Sequence, residues 1–382
     1  MSIHRLTAGL ALVAMLGACQ SIETPSASPV DLAAATPTAF PDQSAAPLQL
    51  DWAAVELPQV AHNTRLNGVL ATVDGFVVFG NMDRQPIVWT SADAAAWAVV
   101  PLPKWDATPV RGAANAEAAV LLGGGSTDRC AHPDGEFLWR RVNGHADWVA
   151  VPFNQRLFCA GGGSDIASGV DAFAVAGTGA GEQPFAWWSP DGMSWQDAGI
   201  GLTFDAPPWL LAPAIDGFLE VGRGSVTDVR LLGGGGWGPV AAPAVAPAFN
   251  GENPGMEPAV LLATKAGTLA VFQSDDAART SAWLRDGSGT WREVSLTGIR
   301  PGSLPSGAVI DGLPFLVGFD GVRAHLYVTP VYEGWFEFEV PQVSAILGLA
   351  QFDGRLLMLA NTAPADADDV TPAVFVAEYP PK

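Results

Sequence analysis

The sequence predicts an all-β fold, a seven-bladed β-propeller built from four-stranded blades. The main observation is a set of seven tryptophans, each at the start of an alternating apolar segment, spaced 42 to 54 residues apart. They are Trp52, Trp97, Trp148, Trp195, Trp237, Trp291 and Trp335. Five of them follow another aromatic residue by eight or nine positions, and a short apolar run ending in Gly lies further upstream. No helical period of comparable length appears after residue 18.

Each repeat has the pattern of short strands separated by turns. An apolar run such as FVVFG (76–80) is followed by a turn, an aromatic strand around Trp89, a second turn and the strand at Trp97. Alternating apolar residues with turn signals about every ten positions are typical of β-structure. Four strands per unit at a period of 40 to 50 residues favour a propeller. A pair of β-sandwiches with a chance tryptophan spacing is the alternative.

The two ends of the repeat region complete each other. Trp52 begins a strand that lacks the earlier strands of its own unit, and the last unit, near 344–380, lacks a tryptophan strand. We therefore expect the N-terminal strand to join the C-terminal blade. Closing the ring in this way removes open sheet edges, which otherwise promote association.

The N-terminus has the layout of a bacterial export signal. A basic start (His4, Arg5) precedes an uncharged apolar run over 6–16, which is too short to span a bilayer. The run ends in Leu16-Gly17-Ala18-Cys19, which resembles the lipobox of bacterial lipoproteins. The resemblance implies that residues 1–18 are removed and that Cys19 is acylated. A secretory signal with an incidental cysteine is the alternative.

The domain division follows from this reading. Residues 19–47 are rich in Ser, Thr, Pro and Ala without periodicity, which is typical of a tether. Residues 48–382 form the predicted propeller. The lipobox resemblance implies a lipid-anchored protein on the extracytoplasmic side of the cell membrane, with the bilayer as a partner through acylated Cys19.

Composition excludes some functions. With 19 Lys+Arg against 39 Asp+Glu the formal net charge is −20 and the pI is near 4.4, which argues against a nucleic-acid groove and against docking on anionic lipid. Hydrophobic residues make up 49% of the chain, so a large core can form. Three cysteines are too few for a disulfide scaffold.

Three turns before a tryptophan carry a family resemblance. The segment 189–195, SPDGMSW, resembles a shortened Asp-box (BNR) turn of sialidase-type repeats, and 91–97 and 286–291 are more degenerate copies. The Asp-box positions are Ser91, Asp93, Trp97, Ser189, Asp191, Gly192, Trp195, Asp286, Thr290 and Trp291. The carboxylates are expected to accept backbone N–H groups across the turn, so their role is structural. Kelch repeats, which share the fold, are the alternative family.

The sialidase resemblance implies a catalytic set that we do not find. Sialidases use three arginines, a Tyr nucleophile assisted by Glu, and an Asp acid/base. The chain has only Tyr327, Tyr332 and Tyr379, and none is expected on an innermost strand. No other catalytic motif is present, so we predict no catalytic residue, no cofactor and no metal site. A hydrolase using an unidentified carboxylate pair stays open.

Sorting the connections by strand order places many arginines on one face. Loops between second and third strands contain Arg84, Arg129, Arg223, Arg279 and Arg323, and blade-to-blade connections contain Arg65, Arg111, Arg156 and Arg300. The candidates for ligand contact are Arg84, Arg129, Arg156, Arg223, Arg279 and Arg323. Such arginines suit carboxylate recognition, although surface ion pairs are the alternative explanation.

Two cysteines fall on the same predicted face. Cys130 and Cys159 lie on adjacent loops, so a disulfide is expected outside the cytoplasm. Metal binding with His132 is the less favoured alternative because no Cys-x-x-Cys pattern is present.

The resulting functional hypothesis is a non-catalytic binding or scaffold module, anchored to the membrane, for an extracellular glycan or an envelope protein. Two alternatives remain. One is a sialidase-like glycoside hydrolase, with two carboxylates converging at the central funnel. The other is a structural lipoprotein with no small ligand. The sequence does not define the oligomeric state.

Overall fold

The computed structural model describes residues 48–61, 63–83, 85–103, 107–124, 138–151, 164–178, 184–198, 208–222, 229–233, 236–243, 256–274, 277–362 and 371–379. In these residues the protein is all β, with seven sheets and no helix, so the predicted seven-bladed propeller is confirmed. No helix in this part of the chain is long and apolar enough to cross a membrane.

Each blade is an antiparallel sheet whose first strand is innermost. The first strands of blades 1 to 7 are β3 (Thr64–Thr72), β7 (Thr108–Ala114), β11 (Ser164–Ser168), β15 (Pro208–Ala214), β19 (Met256–Thr264), β23 (Ser303–Ile310) and β27 (Ala345–Phe352). The second strands are β4 (Gly75–Met82), β8 (Ala118–Gly124), β12 (Phe173–Thr178), β16 (Gly217–Gly222), β20 (Gly267–Ser274), β24 (Leu313–Phe319) and β28 (Arg355–Asn361).

The outer two strands contain the repeated aromatic residues. The third strands are β5 (Gln85–Ser91), β9 (Leu138–Val142), β13 (Pro184–Ser189), β17 (Val229–Gly233), β21 (Thr280–Arg285), β25 (Ala324–Val328) and β29 (Pro372–Glu378). The fourth strands are β6 (Ala98–Val100), β10 (Val149–Ala150), β14 (Gln196–Asp197), β18 (Gly236–Pro239), β22 (Trp291–Val294), β26 (Phe336–Glu339) and β2 (Ala53–Val55). Each of the seven marker tryptophans begins, lies in or directly precedes a fourth strand, as the spacing predicts.

The ring closes as predicted. Strand β2, which follows Trp52, pairs antiparallel with β29, so the N-terminal segment supplies the fourth strand of blade 7. One element is additional. Strand β1 (Leu48–Gln49) pairs in parallel with β26 as a fifth strand of blade 6, where Leu48 packs into the core and the Gln49 amide donates to Glu339 at 2.9 Å.

The core is divided among the contacts between neighbouring blades. Seven clusters of buried apolar side chains each join two consecutive blades, and one of them joins blade 7 back to blade 1 through Phe76, Trp89 and Leu357. Second strands such as β4 therefore bury side chains on both faces of the sheet, which explains why they are continuous apolar runs.

Buried arginines join some blades at one end of the ring. Arg141, at the end of a third strand in blade 2, donates to Thr72 at 3.1 Å and lies 3.8 Å from Asp74, both in blade 1. Arg285 of blade 5 reaches Asp216 of blade 4 in the same way, at 3.4 Å. These pairs repeat one arrangement at two blade interfaces.

Candidate functional site

Successive strands of a blade run in opposite directions, so its connections alternate between the two faces of the ring. We call the face with the second-to-third loops and the blade-to-blade connections the upper face. The face with the first-to-second and third-to-fourth turns is the lower face. The central channel, surrounded by the seven first strands, opens on both.

The structure describes only part of the predicted arginine set. Arg279 and Arg323 lie between second and third strands, as expected, whereas Arg84, Arg129, Arg156 and Arg223 lie outside the described residues. Cys19, Cys130 and Cys159 also lie outside them, so the lipidation and the disulfide stay predictions. The assignment of Arg65 and Arg111 to blade-to-blade connections is wrong, because they belong to first strands β3 and β7.

The first strands begin nearer the upper face than the sequence predicts, and β-bulges lie near their upper ends. The register shifts in six of the seven first strands, between Leu66/Gly68, Pro109/Arg111, Pro208/Leu210, Pro258/Val260, Ser303/Ser306 and Ile346/Gly348. A bulge bends the strand and changes the direction of nearby side chains, and bulges are frequent at barrel rims and beside functional sites. Here they shape the upper mouth of the channel.

One charged pair lies at this mouth. Asp165, at the upper end of β11, accepts the backbone N–H groups of Leu211 and Ile166 at 3.0 Å, and its carboxylate lies 3.9 Å from Arg111 Nε. Burial raises the pKa of Asp165 despite these contacts. The Arg111 side chain is 61% exposed, so its guanidinium remains accessible while one edge faces the carboxylate. The sequence did not single out Asp165; its signal is that it is the one charged residue of its inner strand, β11.

Side-chain hydrogen bonds also connect neighbouring first strands, one near the upper mouth and one near the lower end of the channel. The Asn67 amide donates to the Pro109 carbonyl at 2.8 Å, and the Ser168 hydroxyl donates to the Ala114 carbonyl at 2.7 Å. These polar side chains cover main-chain groups on the open edge of a neighbouring strand. Such groups otherwise have no partner inside the sheet.

A second polar cluster lies at the upper end of blade 6. Both nitrogens of the buried His325 contact carboxylates, Nδ1 with Glu337 at 2.7 Å and Nε2 with Asp320 at 2.9 Å. Glu337 also accepts two bonds from the Arg300 guanidinium, at 3.1 and 2.9 Å. Backbone donation from Arg323, followed by donation from His325, holds the pKa of Asp320 well below its usual range. This closed network supports the ion-pair interpretation for Arg300.

The channel itself is apolar in its side chains. Its lower half contains an open cavity of about 380 Å³. The walls are short segments near the ends of all seven first strands, 69–71, 112–114, 166–168, 211–213, 261–263, 308–309 and 349–351. Among these lining residues only Ser168 and Gln351 have polar side chains. No carboxylate lines this part of the channel.

The three tyrosines of the chain all lie away from the channel lining. Tyr327 is buried in β25 and accepts the Arg300 N–H at 3.4 Å, while the Tyr332 hydroxyl donates to Thr264 at 2.5 Å. Burial raises the pKa of Tyr327 and Tyr332, and raises that of Tyr379 to about 12. A Tyr nucleophile needs the opposite shift, so the sialidase catalytic arrangement is not formed by these residues.

The turns that resemble Asp-boxes make the expected local hydrogen bonds. Asp93 Oδ1 accepts N–H groups from Ala95 and Ala96, at 2.9 and 3.0 Å. Asp191 Oδ1 does the same for the two residues at 193 and 194. These N–H groups lower the pKa of Asp93, and they lower that of Asp191 although burial opposes them. Membership of the sialidase-type repeat family stays a prediction.

The third of these turns differs in the acceptor that its tryptophan indole N–H contacts. In the first two turns the indole N–H bonds within the turn, from Trp97 to Ala94 at 3.0 Å and from Trp195 to Gly192 at 3.1 Å. In the third, Trp291 donates to Ala241 of the preceding blade at 2.6 Å, although Asp286 still accepts N–H groups across its turn. No group of three or more His, Cys, Asp or Glu residues in the described part of the chain is arranged to hold a metal.

Comparison with known proteins shows which fold the chain has. No family model and no curated protein matches the chain. A streptogramin B lyase structure aligns with a TM-score of 0.58 at 9% identity, over 85% of this chain and 96% of that one. A catalytically inactive histidine-to-alanine variant of virginiamycin B lyase from Staphylococcus aureus, in complex with quinupristin, aligns with a TM-score of 0.52 at 8% identity, over 86% and 99%.

A Trypanosoma rangeli sialidase in complex with the inhibitor DANA aligns more weakly, with a TM-score of 0.43 at 13% identity, over 83% of this chain and 55% of that one. At identities of 8 and 9%, the two lyase alignments show a shared fold and nothing more. The chain is a seven-bladed β-propeller, and its chemistry has to be argued from its own residues.

Proposed function

We propose that the protein is a lipid-anchored, extracytoplasmic propeller that binds an acidic glycan or an envelope protein on its upper face without catalysis. The observation that carries the proposal is Arg111. It is largely exposed at the upper mouth of the channel, and the Asp165 carboxylate, whose side chain is only 20% exposed, lies beside it. A positioned guanidinium with free N–H groups can bind a carboxylate bidentately.

Other residues on the upper face support a polar binding surface. Arg279 and Arg323 are exposed in second-to-third loops, which in the ring surround the same channel mouth. Loops carried on a rigid scaffold are where binding residues concentrate. The lipobox-like segment at Leu16–Cys19 and the tether after it support the membrane anchor.

The binding proposal is tested by thermal unfolding of the full chain with sialic acids, uronic acids, cell-wall fragments and neutral sugars. A ligand at about 100 times its Kd adds roughly 2.7 kcal/mol to the stability, which raises Tm by a few degrees. We expect a shift with acidic sugars that Arg111→Gln removes. The control Arg292→Gln, on the outer strand of blade 5, leaves the shift unchanged. A flat response to every sugar rejects glycan binding and directs the search to envelope proteins.

Asp165 favours one second candidate, a glycoside hydrolase other than a Tyr-dependent sialidase. A carboxyl group whose pKa is raised by burial is suited to act as a general acid. A second carboxylate on a first strand is Glu257 of β19. Aryl glycosides provide the assay. Turnover that both Asp165→Asn and Glu257→Gln abolish supports the hydrolase, and absence of turnover on sugars that bind rejects it.

A further inference from the structure

The lower end of the central channel is a cavity that the proposed function does not use. Its volume of about 380 Å³ lies within the range of small-molecule sites. Small side chains, such as Ala71, Ala263 and Ala308, form much of its wall. They leave the strand backbones accessible to a molecule in the channel.

The walls offer hydrogen-bond acceptors despite their apolar side chains. Each of the seven first strands is the terminal strand of its sheet, so one edge has no strand beside it and faces the channel. An open edge presents a row of unpaired carbonyl and N–H groups. Carbonyl groups near the lower end can accept hydrogen bonds from an ammonium group.

The turns around the lower opening are acidic. Each lining segment leads within four residues into a first-to-second turn, and six of the seven turns contain an acid. We call these residues the acidic collar: Asp74, Glu117, Asp171, Asp216, Asp311 and Asp353. The seventh turn has Lys265. Four cations, Lys265, Arg141, Arg285 and Arg355, lie at or beside these turns against six carboxylates, so the collar keeps an excess of negative charge.

Apolar residues are exposed in the same turns. Val73, Val170 and Ile215 are 54, 84 and 83% exposed, and each directly precedes a collar acid. The lower mouth therefore combines an apolar rim, an apolar cavity and a carboxylate at most turn tips. A molecule that satisfies all three has an apolar body and a positive charge.

Charge complementarity decides among possible occupants. The tether, residues 20–47, has Glu23, Asp31 and Asp42 but no Lys or Arg, so it is repelled. A second copy of this chain carries a formal net charge of −20 and is repelled too. We propose that the lower end of the channel binds a small organic cation, an alkyl ammonium whose chain enters the cavity and whose charge contacts the collar.

The probe is hexylammonium, compared with hexanoate and hexanol, which match its shape but not its charge. Binding to the full chain is measured by titration calorimetry at low and high ionic strength. We expect hexylammonium to bind, salt to weaken it, and hexanoate not to bind. Three exposed collar acids that are not paired with Arg141 or Arg285 are neutralised together in Glu117→Gln/Asp171→Asn/Asp353→Asn, which we expect to weaken binding about tenfold.

A matched control removes the same number of charges elsewhere. Asp51→Asn/Glu56→Gln/Glu293→Gln changes exposed acids that flank β2 or lie in the outer strand β22, and it should leave the affinity unchanged. Ala263→Leu, which fills part of the cavity, should abolish binding while Tm is retained. Arg111→Gln should have no effect, which separates this site from the upper face. Equal binding of hexanoate, equal losses in the two triple variants, or no binding of hexylammonium overturns the proposal.

Discussion

Ala94 and Gly192 occupy the same position in two repeated turns, and both have left-handed backbone torsions, with φ of 58° and 72°. Glycine adopts this conformation without strain, whereas alanine does so at a cost. Blade 1 tolerates alanine because the methyl group is buried, at 1% exposure, in the cluster that joins blades 1 and 7. The local strain is offset by packing that only the ring creates.

Exchanging these two residues should have unequal effects. In Gly192→Ala, the new Cβ would lie 2.8 Å from Val120 Cγ2 in blade 2 in addition to the torsional strain. We expect a loss of about 1–3 kcal/mol in the free energy of unfolding. Ala94→Gly relieves strain but removes a buried methyl group, so it should change stability by less than about 1 kcal/mol. Denaturant titration compares the two variants; a larger loss for Ala94→Gly contradicts the argument.

Asp320 makes stability depend on pH at the residue scale. Its pKa is lowered in the folded protein from the ordinary value of 3.8, so its ionised form stabilises the fold above that pH. The contribution is lost as the pH falls below 3.8. We expect Asp320→Asn to lower Tm at neutral pH, with the difference from wild type shrinking in acid. A Tm difference that is the same at every pH contradicts the assignment.

At the scale of elements, the ring depends on two short N-terminal strands. Strand β2 supplies the outermost strand of blade 7, and Leu48, Leu50 and Trp52 pack against the cluster shared by blades 6 and 7. The Trp52 indole also donates to the Glu339 carbonyl at 3.0 Å. The segment therefore adds a strand to each of blades 6 and 7, and its continuation into β3 links blade 7 to blade 1.

Removing that segment should open the ring. A chain that begins at Pro58 lacks β1 and β2 and exposes the edge of β29. We expect it to lose about 3 kcal/mol or more of stability, comparable to losing one large core side chain, and to associate through the open edge. Thermal unfolding and size-exclusion chromatography compare it with a chain that begins at Pro47. Equal Tm and elution of the two chains would show that the closure is dispensable.

At the scale of the whole molecule, the tether and the ring serve different purposes. The proposed anchor depends on the Cys19 thiol, whose acylation would place several acyl chains on one residue and so give stable attachment. We expect Cys19→Ser to move the protein from the membrane fraction to the soluble fraction of an expressing bacterium. Its propeller should keep the wild-type Tm after purification. Retention of the serine variant in membranes after a carbonate wash would reject lipid anchoring.

The sequence predicted the blades well because their signals are local. Trp89 and Trp139 lie in third strands as the spacing predicts, and both are fully buried. The candidate site was predicted less well. Arg111 was assigned to a connection because the β-bulge that extends β7 depends on pairing with β8, and no single-strand pattern reveals it. Asp165 was missed because its burial comes from β15 of the next blade.

The sequence by itself determined the seven-fold repeat, the four-stranded unit and the closure by the N-terminal strand. These properties follow from alternation, turn residues and periodicity along the chain. The tertiary structure alone decided what gathers at the two ends of the channel. Arg111 and Asp165 lie 54 positions apart in consecutive blades and meet because those blades pack side by side. The acidic collar combines turns from six blades, and only the ring places those turns around one opening, because no segment of the sequence holds them close together.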